Sequence, residues 1–171
     1  VQLANICFPA NTPIQTDQGI VAIQKINPNI HTINNKAIVD ITKTITPDKY
    51  LICFSKNALG KNYPTKQTIM SKEHKVFYNG QMIEAKNFVG QFNHVFKVEY
   101  SGEVLYNVLM EEHYKMRVNN LICETLDPKH YIAQLYTRKS KYTDEQKKQL
   151  LEMLKEREVT IEKRKKEHQS K

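Results

Sequence analysis

An Asn-Gly pair at positions 79 and 80 commits residues 76–85 to a β-hairpin. The two central residues of a type I′ turn need positive φ, which asparagine and glycine reach at low cost, and that turn's twist suits the strands it joins. Val76-Phe77-Tyr78 and Gln81-Met82-Ile83-Glu84-Ala85 supply the strands. The same grammar runs through the chain before it. Ile14-Gln15-Thr16 and Ile20-Val21-Ala22-Ile23 flank Asp17-Gln18-Gly19 as another hairpin. Pro28-Asn29, Asn34-Asn35 and Pro47-Asp48 punctuate the segment between Ile23 and Tyr50. Ala37 to Ile45 alternates with β-branched residues, the pattern of a half-exposed strand, whereas Tyr50-Leu51-Ile52-Cys53-Phe54 is continuously apolar, as a buried strand is. The expected fold class is mainly β.

A second unit resembles the Asn79-Gly80 hairpin. Leu105-Tyr106-Asn107-Val108-Leu109 leads to Glu112-His113 and then to Met116-Arg117-Val118-Asn119-Asn120-Leu121-Ile122-Cys123-Glu124-Thr125. At an offset of forty, Val76 matches Met116, Tyr78 matches Val118, Asn79 matches Asn119, Met82 matches Ile122 and Glu84 matches Glu124. Such internal likeness suggests a duplicated β unit folded back on itself.

From Lys141 the composition changes. Thr143-Asp144-Glu145-Gln146 is a capping box, and Leu150, Leu151, Leu154 and Ile161 give the residues after it a narrow apolar edge. The organisation expected is a flank over 1–6, a β domain over 7–139 and a charged helix over 140–171. Of the formal charge of +8, residues 138–171 carry +5. Acidic residues are interleaved with those lysines and no aromatic follows the Thr143 cap for base stacking, so nucleic acid is not the expected partner. The Leu edge points instead to docking on the β domain or on a protein partner. No apolar run approaches the ~20 residues that cross a bilayer, so no membrane role is expected. Three cysteines without a Cys-x-x-Cys pair form neither a disulfide framework nor a zinc set, and free thiols favour a reducing compartment. The histidines show no ligand spacing, and neither a metal nor another cofactor is expected.

Chemistry concentrates near the start. In Asn5-Ile6-Cys7-Phe8-Pro9-Ala10-Asn11-Thr12-Pro13-Ile14 a cysteine beside an apolar residue precedes a proline-stiffened turn and an extended segment. Filling a core needs no such neighbours; holding a sulfur against the carbonyl of Ile6 does. Breaking an amide at a cysteine requires a thiolate at near-attack distance, a proton for the departing nitrogen and donors for the oxyanion. Cys7 would supply the sulfur. His74 would protonate the Cys7 nitrogen, as an imidazole near its usual pKa of about 6.5 holds and releases a proton at neutral pH. Ser71 would donate to the oxyanion or orient His74. The product is a thioester between Ile6 and the Cys7 side chain, which His113 would resolve by activating water or another nucleophile.

Three segments resemble the motifs of Hint domains, the self-processing module shared by Hedgehog proteins and inteins. Cys7-Phe8-Pro9-Ala10-Asn11-Thr12-Pro13-Ile14-x-Thr16-x-x-Gly19 resembles their first motif. Ser71-Lys72-Glu73-His74 resembles their Thr-x-x-His motif with serine for threonine, and Leu105-Tyr106-Asn107-Val108 with His113 and Val118-Asn119-Asn120 resembles their closing motif. The resemblance spans about residues 5–135 and implies a pseudo-twofold β horseshoe, an N-to-S acyl shift at Ile6-Cys7 and the chain's own N-terminal flank as substrate. Inteins end in His-Asn followed by Cys, Ser or Thr, and that Asn cyclises; here Glu124-Thr125 stand in that place and the chain continues, so splicing is not expected. Asn107 stands where the closing motif often has Asp. A charged tail in place of an apolar extension argues against a sterol acceptor. Two rivals stand beside self-cleavage: a thiol hydrolase acting on other substrates through Cys7 and His74, and an inactive Hint-like module joined to an assembly by its helix, as in structural proteins of large viruses.

Overall fold

The computed structural model describes residues 6–130 and the single positions 133, 134, 145, 148, 149, 152, 153, 156 and 163. Thirteen strands run through the first of these spans: β1 (Phe8–Pro9), β2 (Pro13–Thr16), β3 (Gly19–Ala22), β4 (Thr32–Ile33), β5 (Lys36–Thr44), β6 (Tyr50–Phe54), β7 (Thr68–Met70), β8 (Lys75–Tyr78), β9 (Gln81–Glu84), β10 (Val95–Glu99), β11 (Leu105–Met110), β12 (Lys115–Val118) and β13 (Leu121–Glu124). They form antiparallel sheets in the orders β1-β11-β5-β4, β10-β6-β7 and β3-β2-β12-β13-β8-β9. The mainly β expectation therefore holds. Its appended helix over 140–171 is not among the elements described, and most of those residues lie outside the described ones, as does the flank before Ile6.

Local turn chemistry closes the hairpins. Asn79 (φ 51°) and Gly80 (φ 81°) join β8 to β9, Asn119 (47°) and Asn120 (72°) join β12 to β13, and Asn34 (52°) and Asn35 (63°) join β4 to β5. Each pair takes the two positive φ angles of a type I′ turn. Apolar side chains of these strands and the turns between them, among them Phe8, Ile14, Ile23, Ile52, Phe54, Met70, Val76, Phe88, Val118 and Leu121, share one buried core. Each such side chain contributes about 1.5–3 kcal/mol by leaving water. Cys53 and Cys123 lie buried as core thiols.

The duplication is larger than the sequence likeness at forty suggests. That likeness is real as a hairpin: Lys75 pairs with Glu84 and Lys115 with Glu124, and β13 lies beside β8 in one sheet. It ends there, because a 3-10 turn (Ala85–Phe88) follows β9 whereas Thr125 and a bridge from Leu126 to Leu109 follow β13. The repeat that organises the backbone pairs Pro13 with Lys75 and Ala22 with Glu84. In this spacing β2–β3 and the 3-10 turn Ile23–Lys25 recur as β8–β9 and the 3-10 turn Ala85–Phe88. Even the closing hydrogen bonds correspond, from Ile23 N–H to the Thr12 carbonyl (2.9 Å) and from Ala85 N–H to the His74 carbonyl (2.8 Å).

Each half also hands a strand to the other. β11, from the second half, pairs with β1 and β5, while β6, from the first half, pairs with β7 and β10. This exchange sets the equivalent strands β1 and β7 against each other. The residue entering β1 is Cys7 and those leaving β7 are Ser71 to His74, so the topology itself brings them together.

Candidate active site

Cys7 and Ser71 are joined by a reciprocal pair of hydrogen bonds. Cys7 N–H donates to Ser71 Oγ (2.9 Å), and Ser71 N–H donates to the Cys7 carbonyl (3.0 Å). The Ser71 hydroxyl also reaches the Cys7 sulfur. The thiol is wholly buried with Leu51, Tyr100 and Leu105. Burial raises its pKa to about 12, the Ser71 hydroxyl pulls it partway down, and the nearby Asp48 charge pushes it up again.

His74 is equally buried, its ring packed on that of Phe8 with centroids 4.3 Å apart. Its Nε2 lies 2.8 Å from the Glu124 main-chain oxygen. A carbonyl oxygen only accepts, so Nε2 carries the proton and donates. Burial lowers the imidazole pKa to about 4, although the Glu124 and Cys7 main chains pull it partly back. At neutral pH the ring is therefore uncharged, and Nδ1 holds a lone pair. Nδ1 is buried and has no hydrogen-bond partner among the described residues. This corrects the expectation of an imidazole near its ordinary pKa: His74 is at rest a base, and it becomes an acid only after receiving a proton.

Asn107, in the middle of β11, sends its side-chain Nδ2–H to the Ile6 carbonyl oxygen. Its own Oδ1 accepts from Val108 N–H at 2.8 Å, which fixes which end of the amide faces Ile6. The carbonyl of the Ile6-Cys7 bond thus already has a donor. The sequence places Asn107 only as a replacement for an acid; the β1–β11 pairing turns it toward Ile6.

His113 is held by Glu124 at the edge of the site, near enough to act on the His74 ring. Its Nε2 is 2.9 Å from Glu124 Oε1, and it is 41% exposed against 4% for Glu124. Two residues that sequence reasoning misses also border the site. Asp48, which in the sequence is only part of a Pro-Asp break, places Oδ1 3.2 Å from Lys72 Nζ while its Oδ2 is buried without a partner among the described residues. Tyr100 packs against Cys7, N–H bonded to the Lys49 carbonyl and hydroxyl to the Glu103 carbonyl, and burial pushes its pKa up to about 12. Nothing in their local sequence marks either residue. Among the described residues no cluster of three His, Cys, Asp or Glu side chains could hold a metal.

The domain is mainly β, its two halves exchange strands, and it gathers a cysteine, a serine, a histidine and an amide around the Ile6-Cys7 peptide bond. The profile of the Hint domain family matches residues 6–130, and the chain belongs to that family. Among solved structures, a GSH-linked, splice-inactive variant of the AceL NrdHF class 3 split intein is similar over 71% of this chain and 97% of its own, at 11% identity and a TM-score of 0.44. No curated protein sequence matches the chain.

Proposed function

We propose that the domain cleaves its own chain at Ile6-Cys7 by an N-to-S acyl shift, with the flanking N-terminal polypeptide as the only substrate. The hydrogen bond from Asn107 to the Ile6 carbonyl carries this reading. A donor on the Ile6 carbonyl, the Ser71 hydroxyl at the Cys7 N–H and sulfur, and a buried imidazole whose surroundings include the Cys7 main chain together supply the groups an acyl shift needs.

The steps balance within these residues. The Cys7 thiol proton passes to His74 Nδ1 as sulfur attacks the Ile6 carbonyl carbon. Asn107 Nδ2–H stabilises the oxyanion. The C–N bond then breaks, the Cys7 nitrogen takes the proton from Nδ1, and the acyl group rests on sulfur as a thioester. A thiol at about 12 and an imidazole at about 4 make a separate prior transfer cost about 11 kcal/mol. Proton movement is therefore coupled to attack, and Ser71 O–H on the sulfur and Asn107 N–H on the oxygen lower the remaining barrier. A reaction needed once per molecule tolerates a barrier of about 22 kcal/mol, which corresponds to roughly one event per hour.

Resolution of the thioester needs a further proton acceptor. Asp48 Oδ2, unpartnered among the described residues and near the Cys7 sulfur, suits that role better than His113, whose ring is engaged by Glu124. Thr125 stands in place of a cyclising asparagine and is fully buried, its Oγ1 bonded to the Tyr114 main chain. Release of the second flank, and so splicing, is excluded from the proposal.

The inactive-module reading is favoured by one observation, the sealing of the thiol. An intramolecular acyl shift needs no outside reagent, so a closed site is compatible with it. The test is a chain carrying a tag upstream of Val1, as the parent and as Cys7→Ala, incubated with dithiothreitol. Thiol-dependent loss of the tag from the parent alone supports cleavage; an intact parent supports the inactive module.

A further inference from the structure

Glu124 grips His74 from two directions. Its main-chain oxygen accepts His74 Nε2–H (2.8 Å), and its carboxylate Oε2 accepts the N–H of Lys75, the next residue after His74 (2.7 Å). The other carboxylate oxygen, Oε1, is held by His113 Nε2 at 2.9 Å. A buried carboxylate has a strong demand for such donors, and both of its oxygens are satisfied. We propose that Glu124, backed by His113, is a positioning residue that fixes the tautomer and the aim of the His74 ring. The proposal rests on the reading of His74 as proton carrier and assigns the residues that govern it.

Necessity operates at each atom. His74 can take the thiol proton only if Nδ1 is free of hydrogen, which requires the ring hydrogen to sit on Nε2. The Glu124 carbonyl enforces that choice, since it accepts and cannot donate. This carbonyl lies at the C-terminal end of β13, where the chain leaves its pairing with Lys115 and turns toward Thr125. An end residue of a strand keeps its main chain in place only if something ties it down. The pairing with Lys115 and the bond from Thr125 N–H to the Tyr114 carbonyl (2.8 Å) hold the strand end on one side, and the side chain's bonds to Lys75 and His113 add the ties that run to the His74 segment itself, so one residue links the imidazole's backbone neighbour and its ring. His113 reaches in from the segment between β11 and β12. In the sequence Glu124 stands as a departure from the family pattern and His113 as a reacting group; the geometry gives both a supporting task instead.

The readout is the pair of ring-nitrogen shifts of His74, measured by long-range proton–nitrogen NMR in the full chain with Cys7→Ala, which cannot cleave. The expected result is a single Nε2–H tautomer in that chain and in its Glu124→Gln variant, which keeps an oxygen for Lys75 N–H. Glu124→Ala is expected to give averaged tautomers and, with Cys7 restored, tag release about tenfold slower, equivalent to about 1.4 kcal/mol. Unaltered His74 shifts in a Glu124→Ala chain whose amide spectrum remains dispersed would overturn the proposal. Should Glu124→Ala fail to fold, His113→Ala, at a half-exposed position, carries the test: mixed tautomers support the proposal and an unaltered single tautomer overturns it. The NMR result is independent of cleavage, so loss of the cleavage reading and loss of this one are distinguishable.

Discussion

Burial of His74 makes the stability of this domain sensitive to acid in a way that can be calculated. The ring's pKa falls from 6.5 to about 4 on folding, so between those values the unfolded chain binds a proton that the folded chain refuses. Stability then rises with pH across that window and is lost as pH falls through it. A shift of this size is worth about 3 kcal/mol. Against the 5–15 kcal/mol typical of a domain, the loss is large. The burial-raised pKa of Glu124 acts in the opposite sense, stabilising the fold at lower pH, and the lowered pKa of His130 acts in the same sense as His74. A single curve therefore mixes several groups. Denaturant titrations of Cys7→Ala and of Cys7→Ala with His74→Gln, each followed from neutral pH down to the acid limb, isolate His74 by difference. The first chain is expected to lose about 3 kcal/mol more than the second over the window. Parallel stability curves would refute the argument, because they would mean that water reaches the ring in the folded protein.

Individual hydrogen bonds give two more expectations. Asn107→Ala removes the donor on the Ile6 carbonyl and should slow tag release by roughly 10²-fold, the usual cost of one oxyanion donor, while Asn107→Asp keeps the acceptor for Val108 N–H but should be as slow. Release at the parent rate in either variant, timed on a denaturing gel, would remove Asn107 from the reaction. Ser71→Ala leaves the buried Cys7 N–H without its acceptor and should destabilise the fold by about 1–3 kcal/mol, whereas Ser71→Thr restores the hydroxyl and most of that loss; equal melting temperatures for the two variants would contradict it.

What the sequence discloses is what local chemistry writes into it. The Asn79-Gly80 and Asn119-Asn120 turns announce their hairpins because positive φ selects asparagine and glycine, whereas Asn34-Asn35, read only as a break, closes a third. The continuous apolar run from Tyr50 to Phe54 announces a buried strand, and four of its five residues are buried. Cys7, Ser71 and His74 are found because they sit in recognisable segments. The rest depends on tertiary pairing. Asn107 meets a carbonyl 101 residues away, and only the β1–β11 ladder makes that contact. Asp48 lies in a loop whose Pro-Asp pair reads as simple punctuation. The two-fold repeat is invisible because its halves share register and not residues: His74 occupies the place of Thr12, and Lys75 that of Pro13. The offset of forty is the more legible repeat, and the smaller one.

Self-cleavage by this domain stands or falls on the identity of one carbonyl. Hydroxylamine added to the tagged parent chain intercepts a thioester and leaves a hydroxamate on the residue that supplied the acyl group. Mass spectrometry of the released fragment is expected to show a chain ending at Ile6 as its hydroxamate, with none formed from Cys7→Ala. A fragment ending at any other residue, or a fragment released equally from both chains, would contradict acyl transfer to the Cys7 sulfur.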